Sequence, residues 1–175
     1  KEKSVNFERA KEFILNKLTQ ELPEHLHYHN TSHILDVYDA AMRYAKLEGI
    51  SAENTELLEI AALFHDSGFI VKADGHELIS CGFAEEYLPD FGYSFNQIEK
   101  IKGMIMATRI PQTPKNHLEQ ILADADLDYL GRTDFEEISN GLFEELKAEN
   151  KILDLNSWNK IQVSFFEKHS YFTES

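Results

Sequence analysis

The spacing of the apolar residues constrains the fold of this chain more than any other feature of its sequence. Through most of the chain they recur with the three- to four-residue spacing of one helix face, and the alternation typical of strands is almost absent. The first such run contains Phe7, Ala10, Phe13, Ile14 and Leu18. It predicts an amphipathic helix over residues 4–20, and the whole pattern predicts an all-α fold.

Capping and helix-breaking residues divide this pattern into about eight predicted helices. Ser94 with Gln97 has the spacing of a capping box. The same spacing recurs at two later helix starts, Asn116 with Glu119 and Thr133 with Glu136. After the first helix, we place the others at residues 31–47, 51–67, 75–88, 94–109, 116–131, from Thr133 onward and around Trp158–Phe166. The length suits a single helical-bundle domain spanning residues 1–175.

The chain is strongly acidic. It has 17 Lys and Arg residues against 31 Asp and Glu residues, so its formal net charge is −14. Such a surface repels the phosphate backbone of nucleic acids, and we expect no nucleic acid among its partners. A small anionic substrate would need a local positive centre, and a bound divalent cation would supply one.

The sequence is typical of a cytoplasmic protein. Its single cysteine, Cys81, excludes a disulfide within the chain. No run approaches the roughly 20 apolar residues of a membrane-spanning helix, and the amino end lacks the apolar segment of a signal peptide. We therefore expect no membrane partner, while the oligomeric state has no signature in the sequence.

Histidine and carboxylate residues cluster in four short fragments with metal-ligand chemistry. Six of the eight histidines lie between residues 25 and 76. The fragments are His29–His33, His65-Asp66, His76-Glu77 and Asp124–Asp128. Imidazole and carboxylate groups together form a common ligand set for divalent metals. Each fragment alone is more typical of a helix cap or a surface pair, so only their convergence would form a site.

Three aspartates, Asp124, Asp126 and Asp128, lie in an otherwise apolar stretch of the sequence. A carboxylate is costly to bury on an apolar helix face without a counter-charge. On the helix predicted through this stretch, Asp124 and Asp128 share one face and Asp126 points roughly the other way. At least one of them therefore faces the core, where a metal would explain it. The alternative is a helix that is exposed along a polar stripe.

Taken in order, the fragments resemble the HD-domain superfamily of metal-dependent phosphohydrolases, an all-helical fold. The resemblance rests on YHNTSH at residues 28–33, LFHDSG at residues 63–68 and ADADL at residues 123–127. It covers about residues 26–131. As an ordered set these motifs are specific, although each is weak by itself.

The resemblance implies four ligands for a divalent metal ion. They are His33, His65, Asp66 and Asp126, with Asp124 as the alternative for the last position. Two imidazoles and two carboxylates leave coordination positions open for water and substrate, which is typical of a catalytic site. The identity of the metal stays open among Mn, Mg, Fe, Ni, Co and Zn.

The resemblance also implies a mechanism in which a metal-activated water attacks phosphorus. Asp66 would hold the metal and accept the proton of the water. His29 resembles the general acid that protonates the leaving oxygen in related phosphodiesterases. Its alternative role is to orient neighbouring groups at the helix start.

The implied substrate is a small phosphorylated molecule, with a nucleotide as the favoured class. So acidic a protein needs cationic contacts for it, and Arg109, His76 and Lys72 are the candidate substrate-binding residues, with Lys115 as a weaker one. Arg109 is favoured because a guanidinium group binds phosphate oxygens in pairs. Each of these residues also fits an ordinary surface position.

One departure from the family pattern concerns the number of metals. Dinuclear members add a histidine after the paired motif, a position that His76 would fill. They also add a histidine pair where this chain has Thr108 and Arg109. The difference favours one metal, or a weakly bound second one, and argues against a cyclic-dinucleotide phosphodiesterase. Two other functions stay open: a non-catalytic, metal-stabilised binding or sensory domain, and a di-iron oxygenase of the same fold.

Overall fold

A computed structural model describes residues 5–26, 28–110, 112–131, 135–148 and 155–173 of the chain. These residues contain eight α-helices and no β-strand, which confirms the all-α prediction. The helices are α1 (Val5–Glu21), α2 (Thr31–Leu47), α3 (Ala52–Phe64), α4 (His76–Tyr87), α5 (Phe95–Ala107), α6 (His117–Asp126), α7 (Phe135–Ala148) and α8 (Leu155–Lys168). Short 3-10 turns follow α3, α4 and α6, at Ser67–Ile70, Leu88–Phe91 and Asp128–Gly131. Over the described residues, none of these helices combines the length and apolar character that a bilayer crossing requires.

Side-chain caps fix the starts of several helices. At α2, Asn30 Oδ1 accepts a hydrogen bond from the His33 backbone N–H at 3.1 Å, so the helix begins one residue after Asn30. Ser94 and Gln97 form the predicted capping box at α5. Thr133, the predicted cap of α7, lies outside the described residues.

The carboxyl ends of the motif helices differ from the prediction. α6 ends at Asp126 rather than at Gly131. Beyond it, the Leu127 N–H donates to the Asp124 carbonyl, three residues back, at 3.2 Å, and this 3-10 bond tightens the backbone. α3 and α5 also end before their predicted boundaries. The predicted metal ligands of α3 and α6 therefore lie at helix ends instead of within continuous helices.

The main core lies between the first six helices. α3 is at its centre, since every residue from Leu57 to Phe64 is buried, and a helix that is apolar on nearly all sides needs neighbours all around it. α2 and α5 pack against α3, and α6 packs against α2 and α5. This packing brings the carboxyl ends of α3 and α6 next to the amino end of α2.

A second, smaller apolar cluster lies beyond the end of α6. Tyr28 and Leu127 are buried in it. Partly buried side chains pack against them from the last 3-10 turn, α7 and α8, namely Leu130, Phe135, Ile138, Leu142 and Phe165. The end of α6 therefore separates the main core from this second cluster.

Candidate metal centre

Four side chains with metal-binding chemistry converge between the ends of three helices. His33 lies in the first turn of α2, and Asp126 is the last residue of α6. His65 and Asp66 directly follow α3. One ligand atom from each of the four lies within 4.8 Å of all the others. Asp126 Oδ1 is 3.1 Å from His33 Nε2 and 3.2 Å from His65 Nε2. The four residues with this geometry are the four that the sequence pattern predicts as ligands.

Local contacts orient both imidazoles toward the centre. The Tyr28 ring packs against the His33 ring with 4.5 Å between their centroids. His65 Nδ1 lies 2.6 Å from the Ala62 carbonyl oxygen, so Nδ1 carries a proton and donates it. In the neutral ring, His65 Nε2 then carries a lone pair that points at the other candidate ligands.

The Asp66 carboxylate has one buried oxygen atom whose hydrogen-bonding capacity the described residues leave unused. Its Oδ2 atom is buried and has no partner in hydrogen-bonding geometry among the described residues. It lies 3.3 Å from His33 Nε2 and 3.2 Å from His65 Nε2. With both imidazoles in their neutral form, the lone pair of His65 Nε2 would face carboxylate oxygens of Asp66 and Asp126 at short distance. A cation between them would remove this repulsion, so the residues fit a divalent metal ion.

The ionisation of the cluster leads to the same conclusion. Burial lowers the pKa of His33, but its hydrogen bond with Asp126 and its close contact with the Asp66 carboxylate outweigh burial and raise the pKa to about 9. Burial also lowers the pKa of His65, but the charges of the two carboxylates raise it well above its ordinary value. Burial raises the pKa of both aspartates, yet the charge of His65 helps to hold Asp66 well below its usual range and lowers Asp126 to about 2. Protons on the imidazoles balance the carboxylates in the metal-free chain, and a metal ion would replace them.

The other two aspartates of the acidic cluster have different partners. Asp124 accepts hydrogen bonds from the backbone N–H groups of residues 172–173, at 2.9 and 2.8 Å. Asp128 accepts one from the Tyr44 hydroxyl. Among the described residues, Asp126 is the member of this cluster that joins the other three ligand candidates. The geometry therefore favours Asp126 over Asp124 for the fourth position.

A cavity of about 490 Å³ opens beside the four converging side chains. Asp66 and Asp126 line it. Three further residues that the sequence nominates also line it, namely His29, His76 and Arg109. The cavity is thus the place where a substrate could contact the metal centre and these side chains together.

Arg109 lines this cavity from the segment that follows α5, and its side chain is exposed. Among the described residues that line the cavity, Arg109 is the one with a Lys or Arg side chain. Lys72 and Lys115 are exposed and do not line the cavity. The structure therefore places Arg109 in the lining of the cavity, whereas Lys72 is exposed beside the lining residue Ala73 and does not itself line the cavity.

His76, the first residue of α4, contacts the side of Asp66 that faces away from the other ligands. Its Nε2 lies 3.1 Å from Asp66 Oδ1, and its Nδ1 lies 3.1 Å from the Ala73 carbonyl oxygen. Burial lowers the pKa of His76, but its hydrogen bond to Asp66 and the charges of Asp66 and Glu77 raise it above its ordinary value. His76 is therefore placed to orient Asp66 or to contact an anion in the cavity.

His29 is held by a buried carboxylate from α7. Its Nδ1 is hydrogen bonded to Glu145 Oε2, and the backbone N–H groups of Tyr28 and His29 donate to Glu145 Oε1 at 3.3 and 2.8 Å. The face of the His29 ring stacks on the Phe69 ring, with 4.0 Å between their centroids. Burial raises the pKa of Glu145, but these hydrogen bonds lower it below its ordinary value. With Nδ1 bound to Glu145, the Nε2 atom of His29 is the nitrogen that can react with a molecule in the cavity.

The sequence reasoning missed Glu145, because it lies 116 positions from His29 and beyond the motif-bearing region. The apolar spacing of α7 contains a signal that could have identified Glu145. Phe135, Ile138, Leu142 and Glu145 are spaced by three or four residues, so a carboxylate occupies a position on the apolar face. A buried acidic residue at such a position needs a partner, and the partner here is His29.

Comparison with known proteins gives one family and one structural likeness. The model of the HD domain family matches residues 30–128 of this chain, and no curated protein sequence matches it. Among solved structures, a predicted HD superfamily hydrolase from an uncultured Thermotogales bacterium has a similar fold. The two chains share 23% sequence identity with a TM-score of 0.63, over 89% of this chain and 90% of the other. Since the family model spans more than half of the sequence and includes all four converging side chains, this chain belongs to the HD domain family.

Proposed function

We propose that this chain is a metal-dependent phosphohydrolase whose metal is held by His33, His65, Asp66 and Asp126. The observation that carries the proposal is the buried Asp66 Oδ2 atom, which lies among imidazole nitrogens without a hydrogen-bond partner at the edge of an open cavity. The structural relative, whose fold is similar, is named as a predicted hydrolase, which agrees with this activity.

The proposed reaction is hydrolysis of a phosphate ester by water. A divalent cation bound by the four side chains would act as a Lewis acid toward the phosphoryl group and lower the pKa of bound water from 15.7 toward about 7. Asp66 accepts the proton of the attacking water. Its Oδ1 atom lies 3.1 Å from His76 Nε2, so the protonation of His76 and of Asp66 is coupled.

His29 and Glu145 form the acid side of the proposed site. Glu145 accepts the Nδ1 proton and fixes the orientation of the ring. His29 then delivers a proton from Nε2 to the leaving oxygen, which is the role of a general acid. The stacked Phe69 ring limits rotation of the imidazole.

Arg109 is the proposed phosphate-binding residue. The cavity contains several carboxylates, among them Asp74 and Glu77, so an anionic substrate meets repulsion wherever no cation offsets it. The guanidinium group can bind two phosphate oxygens at once, and its exposed position lets it meet the substrate at the cavity mouth.

The test is phosphate release by chelator-treated protein with and without added Mn²⁺ or Mg²⁺, on a panel of phosphate esters and nucleotides. We expect release that depends on the metal and that is lost in His65→Ala. Release that does not depend on metal, or no release from any ester, would contradict the proposal. Metal binding without turnover would favour a binding or sensory domain. Oxygen uptake by the reduced, iron-loaded protein would favour a di-iron oxygenase.

A further inference from the structure

The cavity at the metal centre continues into an apolar chamber formed by the last 3-10 turn, α7 and α8. We define the apolar chamber by six lining residues, Leu130, Phe135, Leu142, Trp158, Ile161 and Phe165. Tyr28 and Leu127 lie between this chamber and the metal centre. Tyr28 packs on His33, and Leu127 directly follows Asp126. A molecule with its phosphate at the metal would therefore extend into the chamber.

The chamber is a surface that the protein does not fill with its own side chains. Tyr28 and Leu127 are buried there, but the residues packed around them stay only partly buried. Ile161, on α8, is 49% exposed although it lines the cavity. Ligand pockets in proteins usually enclose about 300–1,000 Å³, and the whole cavity, the metal-centre side and the chamber together, has a volume of about 490 Å³, which is within this range.

The polar side chains near the chamber each have at least one protein partner. The Gln162 amide donates to Ser139 Oγ, and the Thr108 hydroxyl donates to the Ile105 carbonyl at 2.7 Å. Glu145 binds His29. A nucleobase group that is buried in the chamber and finds no partner among these side chains would cost free energy. A hydrocarbon group has no such requirement and would gain from burial.

We propose that the physiological substrate is a phosphate ester of an apolar alcohol or phenol, whose hydrocarbon group occupies the apolar chamber. This inference rests on the proposed phosphohydrolase function and names its substrate class. In the reaction, water adds to phosphorus, the bond between phosphorus and the alcohol oxygen breaks, and that oxygen leaves with a proton from His29. The products are inorganic phosphate and the free alcohol, so no further reactant is needed.

The single tryptophan of the chain provides a binding readout that does not need activity. Trp158 is 5% exposed and lines the cavity, and it is the one tryptophan in the sequence. We would titrate Mn²⁺-loaded protein with methylphosphonate, octylphosphonate and adenosine monophosphate while following its fluorescence. We expect octylphosphonate to bind at least roughly 30-fold more tightly than methylphosphonate, because each buried methylene adds to affinity. Adenosine monophosphate should bind more weakly than octylphosphonate.

A matched pair of variants on α8 locates the effect. Ile161 and Val163 are both exposed apolar residues, at 49% and 57%, but Ile161 lines the cavity and Val163 does not. Ile161→Gln should weaken octylphosphonate binding at least about fivefold and leave methylphosphonate binding unchanged. Val163→Gln should change neither. Because both positions are exposed, neither variant should impair folding.

Hydrolysis assays with methyl phosphate, octyl phosphate and adenosine monophosphate separate this inference from the function on which it rests. Metal-dependent hydrolysis without a preference for the octyl chain, or adenosine monophosphate binding as tightly as octylphosphonate, would overturn the inference and leave the phosphohydrolase function standing. A clear octyl preference in fluorescence without hydrolysis of any ester would overturn the function but support the apolar chamber as a hydrocarbon site.

Discussion

The three aspartates of the acidic cluster are chemically alike, yet each has different partners because α6 ends between them. They are Asp124, Asp126 and Asp128. Asp124 binds backbone N–H groups near the end of the described chain. Asp126 reaches His33 and His65. The sequence-based expectation that Asp124 and Asp128 share a helix face was wrong, because the helix ends at Asp126 and Asp128 lies in the following 3-10 turn.

Because Asp124 and Asp126 have different partners, we expect their substitutions to have different effects. Asp126→Ala should lose the metal, since it removes an atom that lies 3.1 Å from His33 Nε2. Asp124→Ala should retain the metal but lower the free energy of unfolding by roughly 1–3 kcal/mol, because it removes the acceptor of several hydrogen bonds. Metal analysis and denaturant unfolding of both variants test this. Loss of metal in Asp124→Ala alone would move the ligand assignment to Asp124.

Glu145 gives a second prediction at the scale of single residues. In Glu145→Gln, the Oε1 atom can still accept from the Tyr28 and His29 backbone, but an amide group can no longer accept the His29 Nδ1 proton. We expect kcat to fall about 10- to 100-fold, with metal content and KM nearly unchanged. A merely structural role would instead reduce stability and leave the pH dependence of kcat as it is.

A double-mutant cycle separates positioning of His29 from any independent role of Glu145. If Glu145 acts through His29, His29→Ala and the double variant His29→Ala/Glu145→Gln should have the same kcat. Additive losses in the double variant would show that Glu145 acts on the reaction by another route.

Arg109 and Lys72 form a natural contrast, because both are exposed cations but only Arg109 lines the cavity. Arg109→Ala should retain the metal and lose about 1.5–3 kcal/mol in kcat/KM, the scale of a hydrogen bond to a charged group. Arg109→Lys should recover only part of this loss. Lys72→Ala is the control and should have wild-type kinetics. Equal kinetics for Arg109→Ala and the wild type would remove Arg109 from the site.

At the scale of elements, close backbone packing fixes the turn after α3, which carries the candidate ligands His65 and Asp66 at its start. Ser80 Oγ donates to the His65 carbonyl at 2.9 Å and accepts from the Gly68 N–H at 2.8 Å. A Cβ atom on Gly68 would lie 2.0 Å from the His76 carbonyl oxygen. The turn and the start of α4 can therefore approach this closely only because residue 68 has no side chain.

Two glycine substitutions test this packing. Gly68→Ala should lower the free energy of unfolding by at least roughly 1–3 kcal/mol, since the clash involves backbone atoms and α4 must move, and it should shift His76 away from Asp66. Gly82→Ala, within α4, meets nothing within 4 Å and should be neutral or stabilising by up to about 1 kcal/mol. Thermal unfolding of both variants gives the comparison. A Gly68→Ala variant as stable as the wild type would show that the turn can shift without cost.

Local signals were enough to predict most helices but not their ends. The capping pairs act within four residues, so Ser94 with Gln97 was readable and is present. The ends of α5 and α6 are set by 3-10 bonds from Thr108 to Ile105 and from Leu127 to Asp124, and a 3-10 turn follows α3. The apolar periodicity continues across such bonds, so the sequence pattern places these ends too late.

At the scale of the whole molecule, the convergence of the four candidate ligands was predictable because the motifs that carry them, in their order along the chain, resemble those of the HD-domain family. His33, His65, Asp66 and Asp126 all have side chains suited to a metal, and they converge as expected. The apolar chamber and the Glu145 contact were not predictable in this way. They depend on how α7 and α8 pack against residues more than a hundred positions earlier, which periodicity within one helix does not reveal.

The most direct measurement of the central claim is anomalous diffraction from crystals of the protein loaded with Mn²⁺. The account predicts one strong anomalous peak within about 2.0–2.3 Å of one donor atom from each of four residues: His33, His65, Asp66 and Asp126. It also predicts that the peak disappears in Asp126→Ala crystals. A peak at Asp124, or no peak between the ends of α2, α3 and α6 at saturating Mn²⁺, would contradict the account.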